Sequence, residues 1–430
     1  MRLSVSPVSR ARAVARTVTL PLLALLALAR PAAADETAKD VPVGFLPVPT
    51  TALPDLADPV IFGEPDDTRL RLQSFNTRLA YYVQHGSGYQ SQASPVVAAP
   101  GSERAIITEP MLEAVITQGA RVTHRLFMPA DVVTAASPDA DDKHRPPDVM
   151  SQASRLNKAI ALDWDVAYRA PSGSTWSARN VFHIESMFRS WTAGAGWLRD
   201  FEQGATTVAG NLQQVSDWFD VYNIQGFRRG HDTRSTTNAN VSITRVLTPT
   251  TVAHVNYGIT LQEGELSNTW NSVPMVNGFR GQEFLPSERN RHAFVLRAAQ
   301  WLPWNGAFKV FYRLYVDDWG MAASTLETSL SQRLTSWMYL RANYRWHVQS
   351  GVSFFTTAAP LVVGYRTADS DLAPLTSQDV GGKVVIDLPL PRSWESFARE
   401  LHLDAGYDRY FRTNDLTVDL FACGAGFRFF

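Results

Sequence analysis

The stretch SWMYLRANYRWHVQ, residues 336–349, alternates. Met338, Leu340, Ala342, Tyr344, Trp346 and Val348 are apolar or amphipathic, and the alternate set is Trp337, Tyr339, Arg341, Asn343, Arg345, His347 and Gln349. A period of two belongs to a β-strand, whose successive side chains point to opposite faces. AIALDWDVAY repeats the pattern, with Ile160, Leu162, Trp164, Val166 and Tyr168 set against Asp163 and Asp165. TVAHVNYGITLQ does so again, with Val255, Tyr257, Ile259 and Leu261 set against His254, Asn256, Thr260 and Gln262.

Followed along the chain, the pattern predicts sixteen strands, with fourteen as the alternative count. They fall at 69–83, 110–118, 121–129, 158–168, 175–186, 190–200, 206–216 and 237–246 in the first half. The second half supplies 251–261, 290–301, 306–317, 322–332, 337–349, 379–389, 399–410 and 415–430. Connections after even-numbered strands are mostly short and turn-like, as in PSGS near Pro171 and PWNGA near Asn305. The long gaps (84–109, 130–157, 217–236, 262–289 and 350–378) all follow odd-numbered strands.

Alternation also occurs in soluble sandwiches, where the polar face is outside. In a membrane barrel the apolar face meets lipid and the polar face lines the lumen. Strand length and the sorting of long and short connections onto opposite rims favour the second arrangement. The expected fold is therefore all-β: a closed antiparallel transmembrane β-barrel with long extracellular loops and short periplasmic turns. The last strand, ending FACGAGFRFF, puts Phe421, Cys423, Ala425, Phe427 and Phe429 on the better apolar face, so the terminal Phe430 is out of phase by one.

The N-terminus adds an address. Arg2, Arg10, Arg12 and Arg16 precede the apolar run TLPLLALLALA, and small residues at Ala32–Ala34 suit a signal peptidase, so residues 1–34 read as a signal peptide cleaved after Ala34. The apolar run is too short for a membrane helix. Residues 35–68 are proline-rich and aperiodic and read as a periplasmic leader, which leaves 69–430 for the barrel. The expected location is the bacterial outer membrane. Cleavage removes five arginines and no acid, leaving 35 basic against 41 acidic residues, a balance that argues against nucleic acid as a partner. Cys423 is the only cysteine, so no intramolecular disulfide can form. The expected partners are outer-membrane lipid, the barrel-assembly machinery and periplasmic proteins.

Candidate chemistry is sparse. The adjacent acids in FYRLYVDDWGMAASTLE invite a reading as a carboxylate dyad, but neighbouring strand residues point to opposite faces. Asp317 is then the last inward residue, Asp318 begins a turn, and Gly320 supplies its permissive backbone. Val310, Tyr312, Leu314 and Val316 face lipid; Lys309, Phe311, Arg313 and Tyr315 face the lumen. His254, His292, His347 and His402 are scattered over separate strands, with no nucleophile motif beside them. DADDKHR (Asp139–Arg145) reads as a solvated loop charge run. No cofactor or metal is called for.

The segment YRLYVDDWG, Tyr312–Gly320, resembles a motif of an uncharacterised family of bacterial outer-membrane proteins, Tyr-Arg-Tyr-Tyr-x-Asp-x-Trp-Gly. YRWHVQSGVSFF, Tyr344–Phe355, is similar to a second Tyr-Arg-Tyr-Tyr motif of that family. GELSNTWNSVP (264–274), LPSERNRHAFVLRA (285–298) and RLFMPADVVTAASPDA (125–140) also resemble it, so the likeness runs over about 105–355. Leu314, Trp346, His347 and Phe355 depart from the pattern. The resemblance implies an outer-membrane barrel and, through the family's association with periplasmic thioredoxin-like and flavin-attachment proteins, an extracytoplasmic redox context.

These readings give three expected functions: a passive or weakly selective pore for small solutes, an export, assembly or redox-linked barrel with periplasmic partners, and a lipid-hydrolysing barrel enzyme. The first is preferred over an enzyme. Its candidate site is a lumen charge cluster of Arg313, Glu327, Arg341, Arg345, Asp317 and His347. If opposed residues of the eleventh and twelfth strands sum to 640, Arg313 faces Glu327. A turn at LTS would then set Glu327 opposite Asn343, with Arg341 and Arg345 as diagonal neighbours.

Overall fold

The structure is a computed structural model and describes residues 62–63, 69–86, 104–135, 157–185, 187–223, 227–267, 271–361, 364–394 and 397–429. The expected signal peptide, nearly all of the leader and the Asp139–Arg145 run lie outside these residues.

Strands β1 (Leu70–Gly86), β2 (Ala105–Gln118), β3 (Val122–Ala135), β4 (Asn157–Arg169), β5 (Ser174–Glu185) and β6 (Phe188–Phe201) open the sheet. They are followed by β7 (Thr206–Tyr222), β8 (Arg228–Thr248) and β9 (Thr251–Gly264). A short hairpin, β10 (Ser272–Pro274) and β11 (Arg280–Gln282), stands apart as its own sheet. The barrel resumes with β12 (Glu288–Leu302), β13 (Gly306–Asp317), β14 (Ala322–Arg333) and β15 (Met338–Gln349). It ends with β16 (Leu375–Pro389), β17 (Glu400–Arg412) and β18 (Leu416–Arg428). Each barrel strand pairs antiparallel with the next, and β1 closes on β18 from Ser74↔Arg428 to Gly86↔Leu416. Sixteen strands in a closed ring leave no sheet edge.

The two faces sort as the alternation requires. Ile160, Leu162, Trp164, Leu314, Val316 and Leu340 are exposed on the outside. Asp163, Asp165, Arg179, Thr325, Arg345 and Asp379 are buried on the inside. An exposed apolar belt around a polar interior inverts a soluble protein and suits a hydrocarbon surround.

One expected loop is largely strand. Residues 217–236 continue the β7–β8 hairpin out to Tyr222 and Arg228, so the long-loop rim, here the outer rim, carries four long connections rather than five. Beyond the membrane belt the outward positions Ser216, Asp220, His231, Thr233 and Ser235 are polar, and Trp218 among them does not sustain the apolar beat that marks a strand. The sixteenth expected strand stops at Arg428, although Phe429 N still donates to Gln73 O at 2.9 Å.

The connections 265–287 and 350–374 pack together over the outer rim. Val273, Met275, Ala359 and Ala368 form one buried cluster. Leu285, Trp319, Met321, Val352 and Leu372 form a second, which includes the tip of the β13–β14 hairpin. At one end Gln282 Nε2 donates to Tyr222 O at the head of β7; at the other, Arg412 of β17 donates to Ser370 Oγ and forms an ion pair with Asp371. Round the closed ring β7 and β17 lie eight strands apart out of sixteen, so this cap reaches opposite sides of the rim.

Candidate functional site: the charged lumen

The site grows from the hairpin that ends in Asp317 and Asp318. Asp317 N donates to Met321 O at 3.0 Å and Gly320 N to Asp317 O at 3.3 Å, with Gly320 at φ 87°. Asp317 points inward and its side chain is fully buried. Its Oδ2 accepts from Arg289 Nε at 2.9 Å, from Arg289 Nη2 at 2.5 Å and from Tyr315 Oη at 2.8 Å, while Oδ1 accepts from Met321 N at 2.9 Å. Asp318 binds Asn290 instead, accepting from its N at 3.0 Å and from its Nδ2 at 2.8 Å. The two carboxylates serve separate partners and share no proton. Asp317 is the anchor of the outer hairpin.

This turn also sets the register of the charges below it. Val316 pairs with Ala322, so opposed residues of β13 and β14 sum to 638 and Arg313 faces Thr325, with Phe311 facing Glu327. The expected Arg313–Glu327 opposition is corrected by two residues, because the hairpin closes at Met321 rather than Ala323. The next turn closes with Leu334 N donating to Met338 O, which sets Glu327 opposite Arg345 rather than Asn343. Both slips are even, so every residue keeps its predicted face. Glu327 therefore sits directly between Phe311 and Arg345, with Arg313 diagonal to it.

The remaining expected members spread out from there. Arg345 faces Asp379 of β16 as well as Glu327, and both Arg345 and Asp379 are buried. Arg341 lies lower, between Ser331 and Lys383. His347 bonds Thr325 Oγ1 at 2.8 Å through Nδ1 and Gln349 Oε1 at 3.1 Å through Nε2. Asp317 is held by Arg289 near the outer rim. Across β16, Asn343 Nδ2 donates to Asp408 Oδ1 at 2.8 Å, directly over Gly381. A Cβ at Gly381 would lie 1.7 Å from that oxygen, so only glycine lets these two side chains meet.

The larger feature is a division of charge around the ring. On β12, Arg289, Arg291 and Arg297 face inward; β13 adds Lys309 and Arg313, and β15 adds Arg341 and Arg345. Against these seven cations the same four-strand wall holds Asp317 and Glu327, for a net +5. Glu109 and Glu113 face inward from β2, Asp131 from β3, Asp163 and Asp165 from β4, and Glu185 from β5. Arg125 and Arg179 are the cations among them, for a net −4. Both sums leave aside Arg169 and Arg333 at the inner rim. Arg179 binds Asp163 bidentately at 3.0 and 2.5 Å, and Arg125 reaches Glu113 at 2.7 Å and Asp165 at 3.3 Å. On the strands between the walls acids and bases nearly cancel, as with Asp217 and Arg234 at 2.8 Å or Lys383 and Asp404 at 2.7 Å.

Counting round the closed order, β2–β5 and β12–β15 have midpoints eight strands apart, so the two walls face each other across the lumen. Sequence reasoning placed Asp163, Asp165, Arg313 and Arg341 on wet faces but missed this opposition and missed Arg289, Arg291 and Arg297. A tally of charge at inward positions, strand by strand, carries the signal once the ring is known to close.

On the outside, His292 stacks on Tyr257, with ring centroids 6.2 Å apart, and bonds its hydroxyl at 2.8 Å. His254 is inward and buried, its Nδ1 2.8 Å from Thr244 Oγ1, and His402 Nδ1 lies 2.6 Å from Asp387 Oδ1. No group of three or more metal-ligating side chains converges among the described residues.

A closed sixteen-strand barrel with an apolar exterior and a charged interior has the architecture of bacterial outer-membrane pores. The chain belongs to the family described as "Protein of unknown function (DUF3570)", which matches residues 160–413. The match starts later and runs further than the motif resemblance suggests. No curated protein matches the chain. Among solved structures it is similar to OpdK of Pseudomonas aeruginosa with vanillate, at 8% identity over 85% of this chain and 99% of that one, with a TM-score of 0.41. A BenF-like porin from Pseudomonas fluorescens Pf-5 gives 10%, 85%, 100% and 0.41 for the same measures. OmpTdeltaL8, a loop-deletion mutant of an outer membrane protein of Vibrio cholerae, gives 8%, 83%, 99% and 0.39.

Proposed function

We propose that the protein is a passive, weakly selective pore for small solutes in the outer membrane. The observation that carries this reading is the closed sixteen-strand ring with its charged inward face. At a strand spacing of ~4.8 Å and a tilt of ~40°, sixteen strands enclose a ring about 30 Å across between backbones, which leaves room for an aqueous path between side chains. The cationic wall attracts anions and the anionic wall attracts cations, so overall ion selectivity is weak even though each wall is strongly charged.

The test is conductance of the purified protein in planar bilayers. Discrete steps with a modest reversal potential in a salt gradient support the pore. Absence of conductance from correctly folded, heat-modifiable barrel would overturn it. Release of fatty acid from labelled phospholipid would instead support the barrel-enzyme reading.

A further inference from the structure

The two walls are strongest as a pair. A solute that carries one charge is drawn to one wall and repelled by the other. A solute that carries both signs can satisfy both by turning across the pore axis. We infer that the lumen favours small zwitterions of the amino-acid type over neutral solutes of the same size, with the carboxylate turned toward β12–β15 and the ammonium toward β2–β5. This rests on the pore reading above.

Two observations support it. The walls carry +5 and −4 on strand sets that lie opposite in the ring, and the strands between them are nearly neutral. The field therefore points across the pore rather than along it. Second, the inward guanidiniums lie on aromatic rings, Arg297 5.3 Å from the Phe311 centroid and Arg313 5.5 Å from Tyr315. Such a contact keeps the guanidinium charge beside an inward-facing ring.

The size of the preference follows from Coulomb attraction in water across roughly 10 Å from each wall. Screened at ~0.1 M salt, it comes to about two- to three-fold in permeation rate for charges a few ångströms apart on the solute. At 1 M salt the Debye length is about 3 Å and the preference should vanish.

The experiment is swelling of phosphatidylcholine liposomes containing the full chain, with 4-aminobutyrate compared against the similarly sized neutral 4-hydroxybutyramide. Wild type should admit the zwitterion about two- to three-fold faster at low salt and equally fast at 1 M salt. A charge-balanced variant keeps the total charge but flattens the field: Arg297→Gln, Arg313→Gln and Arg341→Gln together with Glu109→Gln, Asp131→Asn and Glu185→Gln. Its ratio should fall to about one while potassium chloride conductance stays within about two-fold of wild type. Equal rates in wild type at low salt overturn the inference without the variant, and if conductance persists the pore reading stands. Absence of both swelling and conductance overturns the pore reading instead. A preference that survives 1 M salt, or survives in the conducting balanced variant, also overturns the inference, because the field is then not its source.

Discussion

Removing the carboxylate of Asp317 should destabilise the barrel more than removing any single lipid-facing side chain. The Asp317 side chain is fully buried and that of Arg289 is 9% exposed, so the pair is poorly screened. Asp317→Ala removes the acceptor for both Arg289 bonds, for the Tyr315 hydroxyl and for Met321 N. Breaking a buried pair from one side costs about 3–5 kcal/mol, chiefly because the remaining charge is stranded. Arg289 also lies 4.2 Å from the Trp319 ring centroid, so its displacement disturbs the cluster beneath the cap. Asp317→Asn keeps an acceptor oxygen and loses only the charge, for about 1–3 kcal/mol. The double variant Arg289→Met with Asp317→Asn leaves no charge behind and should return to within about 1–2 kcal/mol of wild type. Guanidinium unfolding in lipid vesicles, followed by tryptophan fluorescence, measures all three. A cost below about 1 kcal/mol for Asp317→Ala, or a double variant as unstable as the alanine, would refute the reasoning.

Further outcomes follow from the same geometry. Replacing Arg313, Arg341 and Arg345 together with Gln takes three of seven cations from the basic wall and should shift the reversal potential toward cation permeation; an unchanged potential would make these arginines structural only. In the cap, burial, with Asp371 nearby, pushes the Asp369 carboxyl from 3.8 up to about 7, against the opposing pull of Asp371 N, Asn271 and Arg412. Thr367 and Glu283 complete its surroundings, with Thr367 Oγ1 donating to Glu283 Oε1 at 2.6 Å and Asn271 Nδ2 spanning Glu283 and Asp369. The packed cap thus holds a proton that an open loop releases. Its stability is full below about pH 4, falls as pH rises toward 7, and levels off above that. Hydrogen exchange at 350–374 should therefore quicken between about pH 4 and 7 beyond its intrinsic chemical rate, and Asp369→Asn should flatten that excess. Mass spectrometry of outer-membrane fractions should find a mature N-terminus at Asp35, and an intact 1–34 segment would contradict cleavage.

Alternation alone assigned nearly every strand and both of its faces, because side-chain direction in a strand is local and has a period of two. Asp163, Asp165, Arg313 and Arg341 could be placed on the wet side from neighbouring residues only. The sorting of short and long connections likewise fixed which strand ends share a rim. The β7–β8 extension escaped this reading because its outward positions, Trp218 apart, are mostly polar, so the apolar beat that marks a strand is too thin to follow.

Register belongs to the tertiary structure. A slip of two residues leaves every face unchanged, so no hydrophobic pattern can detect it; the bonds from Asp317 to Met321 and from Leu334 to Met338 decide it. The partners of Glu327 changed for that reason. The opposition of the two charged walls depends on something less local still. Arg297 and Asp163 are distant in sequence and never touch. They face one lumen only because β18 closes on β1 and brings β2–β5 round to face β12–β15.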